Sequence, residues 1–151
     1  MKKFIRLIAA WLMAVLVTLC LAVIFQTQNV IARLNALGGE IGFGDRLSMT
    51  FYDLQHLGSL YGIFLTIALL IAFLAGGALF SFVKFGRPII YMVAGAVAIF
   101  VMLFAMKTQF FDIHIIAGAR DGIGIALQML AGAIGGFVFS KISRTAPQSD
   151  F

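Results

Sequence analysis

The chain has 151 residues, of which 62% are apolar and 11% charged, with mean hydropathy +1.07 and a net charge of +5. Soluble domains are about half apolar and about a quarter charged, so this composition excludes a water-soluble globule. It excludes intrinsic disorder for the same reason, and a single cysteine excludes both a disulfide framework and a thiolate zinc site. A single integral membrane domain covering residues 1–151 remains.

A helix crossing a hydrocarbon core of roughly 30 Å needs about 20 mainly apolar residues. Four stretches meet or nearly meet that length: 7–25, 60–83, 88–106 and 123–139. Pro88 opens the third, where its missing N–H has no intrahelical partner to lose. Exposed strand edges are excluded in lipid, and the runs lack the alternation of barrel strands. The fold class expected is therefore all-α, an integral membrane four-helix bundle with a small outer cap of interfacial helices and loops. The first span resembles a signal peptide in having Lys2, Lys3 and Arg6 before an apolar run. It lacks a small-x-small cleavage site before Gln26-Thr27-Gln28, so an uncleaved anchor is expected.

Basic residues set the expected orientation. Lys2, Lys3, Arg6, Lys84, Arg87, Lys141 and Arg144 fall on one side, against Arg33, Arg46, Lys107 and Arg120 on the other. Five of the six acids fall on the second side. Both termini are expected in the cytoplasm, and the positive balance reads as affinity for anionic headgroups rather than for nucleic acid.

Two outer loops are expected, at 26–59 and 107–122. In the first, residues 29–37 read as a short interfacial helix stopped by Gly38-Gly39, and 40–46 as a turn or brief strand. Residues 50–57 read as a second short helix, with Thr50 and Asp53 spaced as a capping box. The apolar residues of the second loop are expected to fold back against the first. The Lys84-Phe85-Gly86-Arg87 connection forces the second and third spans to be antiparallel neighbours.

Small residues at four-residue spacing mark the faces on which membrane helices approach. They are Ala68, Ala72 and Gly76 in the second span, and Gly132 and Gly136 in the fourth. The first span has Ala10, Ala14, Thr18 and Ala22, and the third Ala94 and Ala98. Packing within one bundle is the preferred explanation, with self-association through the fourth helix as the alternative. Gln128, the one strong hydrogen-bonding group at depth, is expected to bridge to Thr18 or Thr66.

One polar constellation suggests chemistry. Asp53 and His56 share a helical face, Asp112 and His114 flank a single residue, and together they offer nitrogen and oxygen ligands to a divalent metal. The competing explanation is hydrogen bonding to loop backbone. Arg120 and Asp121 form an outer charge pair suited to capping the fourth helix, or to binding an anion at the bundle mouth. Neither histidine lies within a span, which argues against haem. No span carries an ionisable group at depth, as proton relays and ion-coupled carriers require. The sequence also lacks a phosphate-binding glycine loop and an activated-nucleophile motif.

The runs Ala10-Trp11-Leu12-Met13-Ala14, Gln26-Thr27-Gln28 and Arg46-Leu47-Ser48-Met49-Thr50 resemble short four-span proteins of bacterial inner membranes, a group without an assigned activity. The resemblance implies a bacterial inner membrane with the outer loops in a periplasm, and brings no site residues. A non-catalytic subunit or adaptor of a membrane assembly is expected first, without a cofactor, in contact with lipid and with other membrane proteins or itself. A small oligomeric channel or transporter comes second. A metal- or lipid-handling protein using the outer Asp/His set comes third.

Overall fold

The computed structural model describes residues 2–84, 86–109 and 122–143. Among these residues are four long helices: α1 (Lys2–Ala36), α2 (Phe43–Val83), α3 (Arg87–Gln109) and α4 (Gly122–Ile142). All four are long and apolar enough to cross a membrane, over Phe4–Ala36, Tyr61–Val83, Arg87–Thr108 and Gly122–Ile142. The chain is thus a multi-pass membrane protein built as an all-α four-helix bundle. The helices form a ring in which α1 packs on α2 and α4, and α3 packs on α2 and α4. The bundle end carrying the α2–α3 connection, with Lys2 and Ser143, is called the terminal end below. The end carrying the α1–α2 connection is the distal end.

The distal end departs from expectation. Residues 29–36 continue α1, because nothing between Phe25 and Asn29 breaks a helix. Likewise, 50–57 lie inside α2, which starts at Phe43 rather than after a turn at 40–46. Thr50 is therefore no cap: its hydroxyl donates to Arg46 O at 2.8 Å, one turn back. At 35 and 41 residues, α1 and α2 are roughly 52 and 61 Å long, nearly twice the hydrocarbon thickness. Residues 26–59 are thus mostly a helical hairpin, joined by 37–42.

Local chemistry sets the ends of that hairpin. Gly38 adopts φ +93°, Gly38 N donates to Asn35 O at 3.1 Å, and Gly39 N donates to Leu34 O at 3.0 Å. This pair of bonds is the Schellman arrangement, which needs a left-handed residue and so favours glycine. Asp45 sits in the first turn of α2, at the positive helix end. At the other end of α2, Lys84 (φ 54°) and Gly86 (φ +67°) both take left-handed conformations, and Lys84 N closes the helix on Phe80 O.

The core follows from spacing. Ala10, Ala14, Thr18 and Ala22 of α1 are wholly buried, as are Leu65 and Leu69 in the Tyr61-Leu65-Leu69-Phe73 stripe of α2. Tyr91, Ile99 and Met102 of α3 and Phe139 of α4 complete the core, while many other large apolar side chains, such as Phe82, Ile71 and Phe104, face outward, as expected of helices solvated by lipid.

Candidate functional site

Helix α4 is held by backbone contact. A Cβ built on Gly132 would strike Gly95 O, one on Gly95 would strike Gly132 O, and one on Gly136 would strike Tyr91 O. A Cβ on Gly135 would strike Thr18 Oγ1 of α1. The Gly132–Gly136 pair therefore faces α3 within the same chain, and Gly135 faces α1. Gly95 is the partner that reading the Ala94–Ala98 stripe overlooks. Those alanines turn toward α2 instead, where Ala94 Cβ lies 3.5 Å from a Cβ placed on Gly76. An isolated glycine between two alanines in a span was the available signal.

Above the glycines, Phe73 and Phe139 stack with centroids 4.3 Å apart, and Tyr91 meets Phe139 edge-on at 4.9 Å. The three rings fill the space between α2, α3 and α4. Nearer the distal end, Tyr61 OH donates to Gln128 Oε1 at 2.9 Å, and Gln128 Nε2 donates to Ala22 O at 2.9 Å. Gln128 thus bridges α4 to α1 and α2, but not through the residues expected. Thr18 and Thr66 satisfy themselves on Ala14 O and Gly62 O of their own helices. A threonine hydroxyl within a helix reaches the carbonyl four residues back more readily than a neighbouring helix.

At the terminal end two arginines converge on the last turn of α4. Arg6 Nε donates to Ile142 O at 2.9 Å, while Arg87 Nη2 donates to Ser143 Oγ at 2.9 Å and to Ser143 O at 3.3 Å. Cations suit the negative end of a helix. Arg87 Nε is buried and has no acceptor among the described residues, and the rings of Phe80 and Tyr91 lie 5.5 and 5.6 Å from the guanidinium carbon. A lysine has neither the planar fork for Ser143 nor the flat face for those rings. Arg87→Lys is expected to loosen this end by about 1–2 kcal/mol, and the amides of 140–143 should exchange about tenfold faster. Hydrogen–deuterium exchange of the full chain in detergent checks this, and unchanged protection would refute it.

The distal polar residues separate. Asp53 Oδ2 accepts from Thr27 Oγ1 at 2.8 Å, pinning α2 to α1. His56 is exposed, stacks on Tyr52 at 4.0 Å, and has Nδ1 3.1 Å from Tyr52 O. Asp53 and His56 thus engage different neighbours despite sharing a helix. Asp112, His114, Arg120 and Asp121 lie outside the described residues, as does the expected fold-back of the second outer loop. Among the described residues, no three His, Cys, Asp or Glu side chains are grouped to hold a metal ion.

An open groove of about 710 Å³ runs between α2 and α3. Ala68, Ala72, Ala75 and Gly76 of α2 and Ala94 and Ala98 of α3 line it together with large aliphatics, from Phe64 to Leu79 and from Ile89 to Ala105. Ile71, Ile89 and Val93 stand more than half exposed along it. The expected packing residues of the second span thus serve two purposes: Ala68 and Ala72 touch the core and also line an open groove. Comparison of the chain with protein-family models, curated proteins and solved structures yields no match.

Proposed function

We propose that this chain is a non-catalytic structural or adaptor subunit of a membrane assembly, and that a transmembrane helix of another chain docks along the α2–α3 groove. The observation that carries this reading is the small-residue lining of that groove, Ala68, Ala72, Ala75 and Gly76 facing Ala94 and Ala98. Lipid tails are as apolar as leucine, so helices associate in a bilayer where small residues let backbones approach. The chain uses that device internally at Gly95, Gly132 and Gly136. On the α2–α3 face the same class of residue borders an open furrow flanked by aliphatic ridges, the relief into which a helix packs.

The membrane proposed is the inner membrane of a bacterium, with both termini cytoplasmic. Supporting that orientation, Lys84, Arg87 and Lys141 share the terminal end with Arg6, whereas Glu40, Asp45 and Asp53 belong to the distal hairpin.

Site-specific photo-crosslinking in intact cells tests the docking face. A photoreactive residue at Val93 is expected to give one discrete protein adduct, and one at Leu16, equally exposed on α1, is expected to give none. Adding Ala72→Leu to the Val93 probe should fill the furrow and remove the adduct while the chain still purifies intact. Equal patterns from Val93 and Leu16, or an adduct indifferent to Ala72→Leu, would contradict the reading.

A further inference from the structure

A second apolar recess, of about 470 Å³, lies between the first part of α2 and the distal part of α1. Its volume falls in the range that holds a small organic ligand, about 300–1,000 Å³. Its walls change character along its length. Cys20, Val23 and Ile24 of α1 belong to the uncharged run at 7–25, and Leu47, Phe51 and Leu54 of α2 face them. Gln28 lies beyond that run, and Arg46 is the one charged residue among the described residues lining the cleft.

Arg46 is anchored but not saturated. Its Nε donates to Ile41 O at 3.4 Å. With the Asn35 amide oriented so that Nδ2 donates to Gly39 O at 2.8 Å, Oδ1 accepts from Arg46 Nη2 at 2.9 Å. Those bonds use two of the five guanidinium N–H groups, and among the described residues no carboxylate pairs with it. A positive group fixed at the polar end of an apolar cleft complements one kind of molecule, an amphiphile with a negative head. Its rim supports the same choice: Phe43 and Phe51 are 79% and 65% exposed, in a part of α2 that precedes its spanning window. Apolar surface of that kind needs cover by lipid at the interface.

We propose that the α1–α2 cleft binds one acyl chain of an anionic phospholipid, with the lipid phosphate on Arg46. The chain lies along Val23, Ile24, Phe51 and Leu54, and the headgroup sits at the level of Gln28, where α1 leaves its uncharged run. This site is separate from the α2–α3 groove and does not rest on the role proposed for that face.

Cys20, the only cysteine, lines the cleft and supplies the probe. The full chain is purified in a neutral maltoside detergent, and the rate of Cys20 alkylation by N-ethylmaleimide is measured with lysophosphatidylglycerol, lysophosphatidylcholine or inorganic phosphate. At ten times its Kd, lysophosphatidylglycerol is expected to slow alkylation by about tenfold. The zwitterionic lipid should slow it far less, and phosphate without a tail should not slow it. Arg46→Gln is expected to abolish the difference between the two lipids, while Arg33→Gln, outside the cleft, should keep it. Equal protection by both lipids in the unaltered chain overturns the proposal without any variant, as does protection that survives Arg46→Gln. Loss of discrimination in Arg33→Gln as well would also overturn it, by pointing to general surface charge. Counting bound lysophosphatidylglycerol by native mass spectrometry gives an independent reading. Leu54→Trp, which fills the apolar wall and leaves Arg46 in place, should remove one bound lipid. Unchanged occupancy in that variant would contradict the assignment to the cleft.

Discussion

Replacing Gly136 with alanine is expected to cost about 3 kcal/mol, the upper part of the usual range for overpacking, and Gly132→Leu more than that. At both positions a side-chain carbon would meet backbone of α3, Tyr91 O in one case and Gly95 O in the other, and backbone has no rotamer by which to retreat. Helices α3 and α4 would have to separate, which would also part the Phe139 ring from Phe73 and Tyr91. Gly122→Ala is the matched control, since a Cβ there meets nothing within 4 Å among the described residues. It should be neutral or slightly stabilising, as expected for glycine replaced in a helix. Thermal unfolding in detergent, followed by the monomer peak in size-exclusion chromatography, separates the two outcomes. A Gly132→Leu chain that keeps its monomeric fold and loses only a higher assembly would instead place this face between chains.

The second large effect concerns Gln128. Gln128→Leu leaves the buried hydroxyl of Tyr61 without its acceptor, whereas Ala22 O keeps its place in the α1 ladder. An orphaned buried hydroxyl costs about 1–3 kcal/mol, and interhelical bonds in membranes fall in the lower part of that range. We expect Gln128→Leu to lower stability by about 2 kcal/mol. Tyr61→Phe in the same background should recover part of the loss by removing the stranded group. A double-mutant cycle on unfolding free energies measures this directly. Strictly additive effects would show that the two side chains do not depend on each other.

Much of the architecture can be read from hydropathy alone, because the constraint is severe: in lipid, each crossing must be a helix of about 20 apolar residues. The terminal-end boundaries and the tight α2–α3 link follow from that rule, and the Ala10-Ala14-Thr18-Ala22 stripe from helical spacing. What hydropathy cannot mark is where a helix continues past its apolar run. Gln26-Thr27-Gln28 ends the apolar run but not the helix, since polarity changes the solvent a helix prefers and not its hydrogen bonds. Thr50 and Asp53 mimic a capping box for the same reason: the motif is local, whereas α2 had already begun at Phe43. Gly38 is a true stop because it combines glycine with the left-handed geometry of a helix C-terminus.

Functional surfaces were harder to read because they depend on which helices become neighbours. The Ala68-Ala72-Gly76 stripe marks a contact face in sequence, yet only the bundle distinguishes residues closed by α3 from those left along an open furrow. Gly95 gave no periodic signal, as a single residue has no spacing. Arg87 likewise read as a topology charge, although its fork also fastens the last turn of α4 through Ser143.

All of these inferences require that the chain cross the bilayer four times with the α1–α2 connection on one side and both other ends together. Cysteine accessibility in a Cys20→Ser background measures this in intact vesicles, using a membrane-impermeant maleimide at Leu37→Cys, Lys84→Cys and Lys141→Cys in turn. Leu37, 86% exposed in the hairpin connection, should label from the side opposite to Lys84 and Lys141, which should label together. Labelling of positions 37 and 84 from the same side, or of 84 and 141 from opposite sides, would mean a different number of crossings and would contradict the bundle in the membrane.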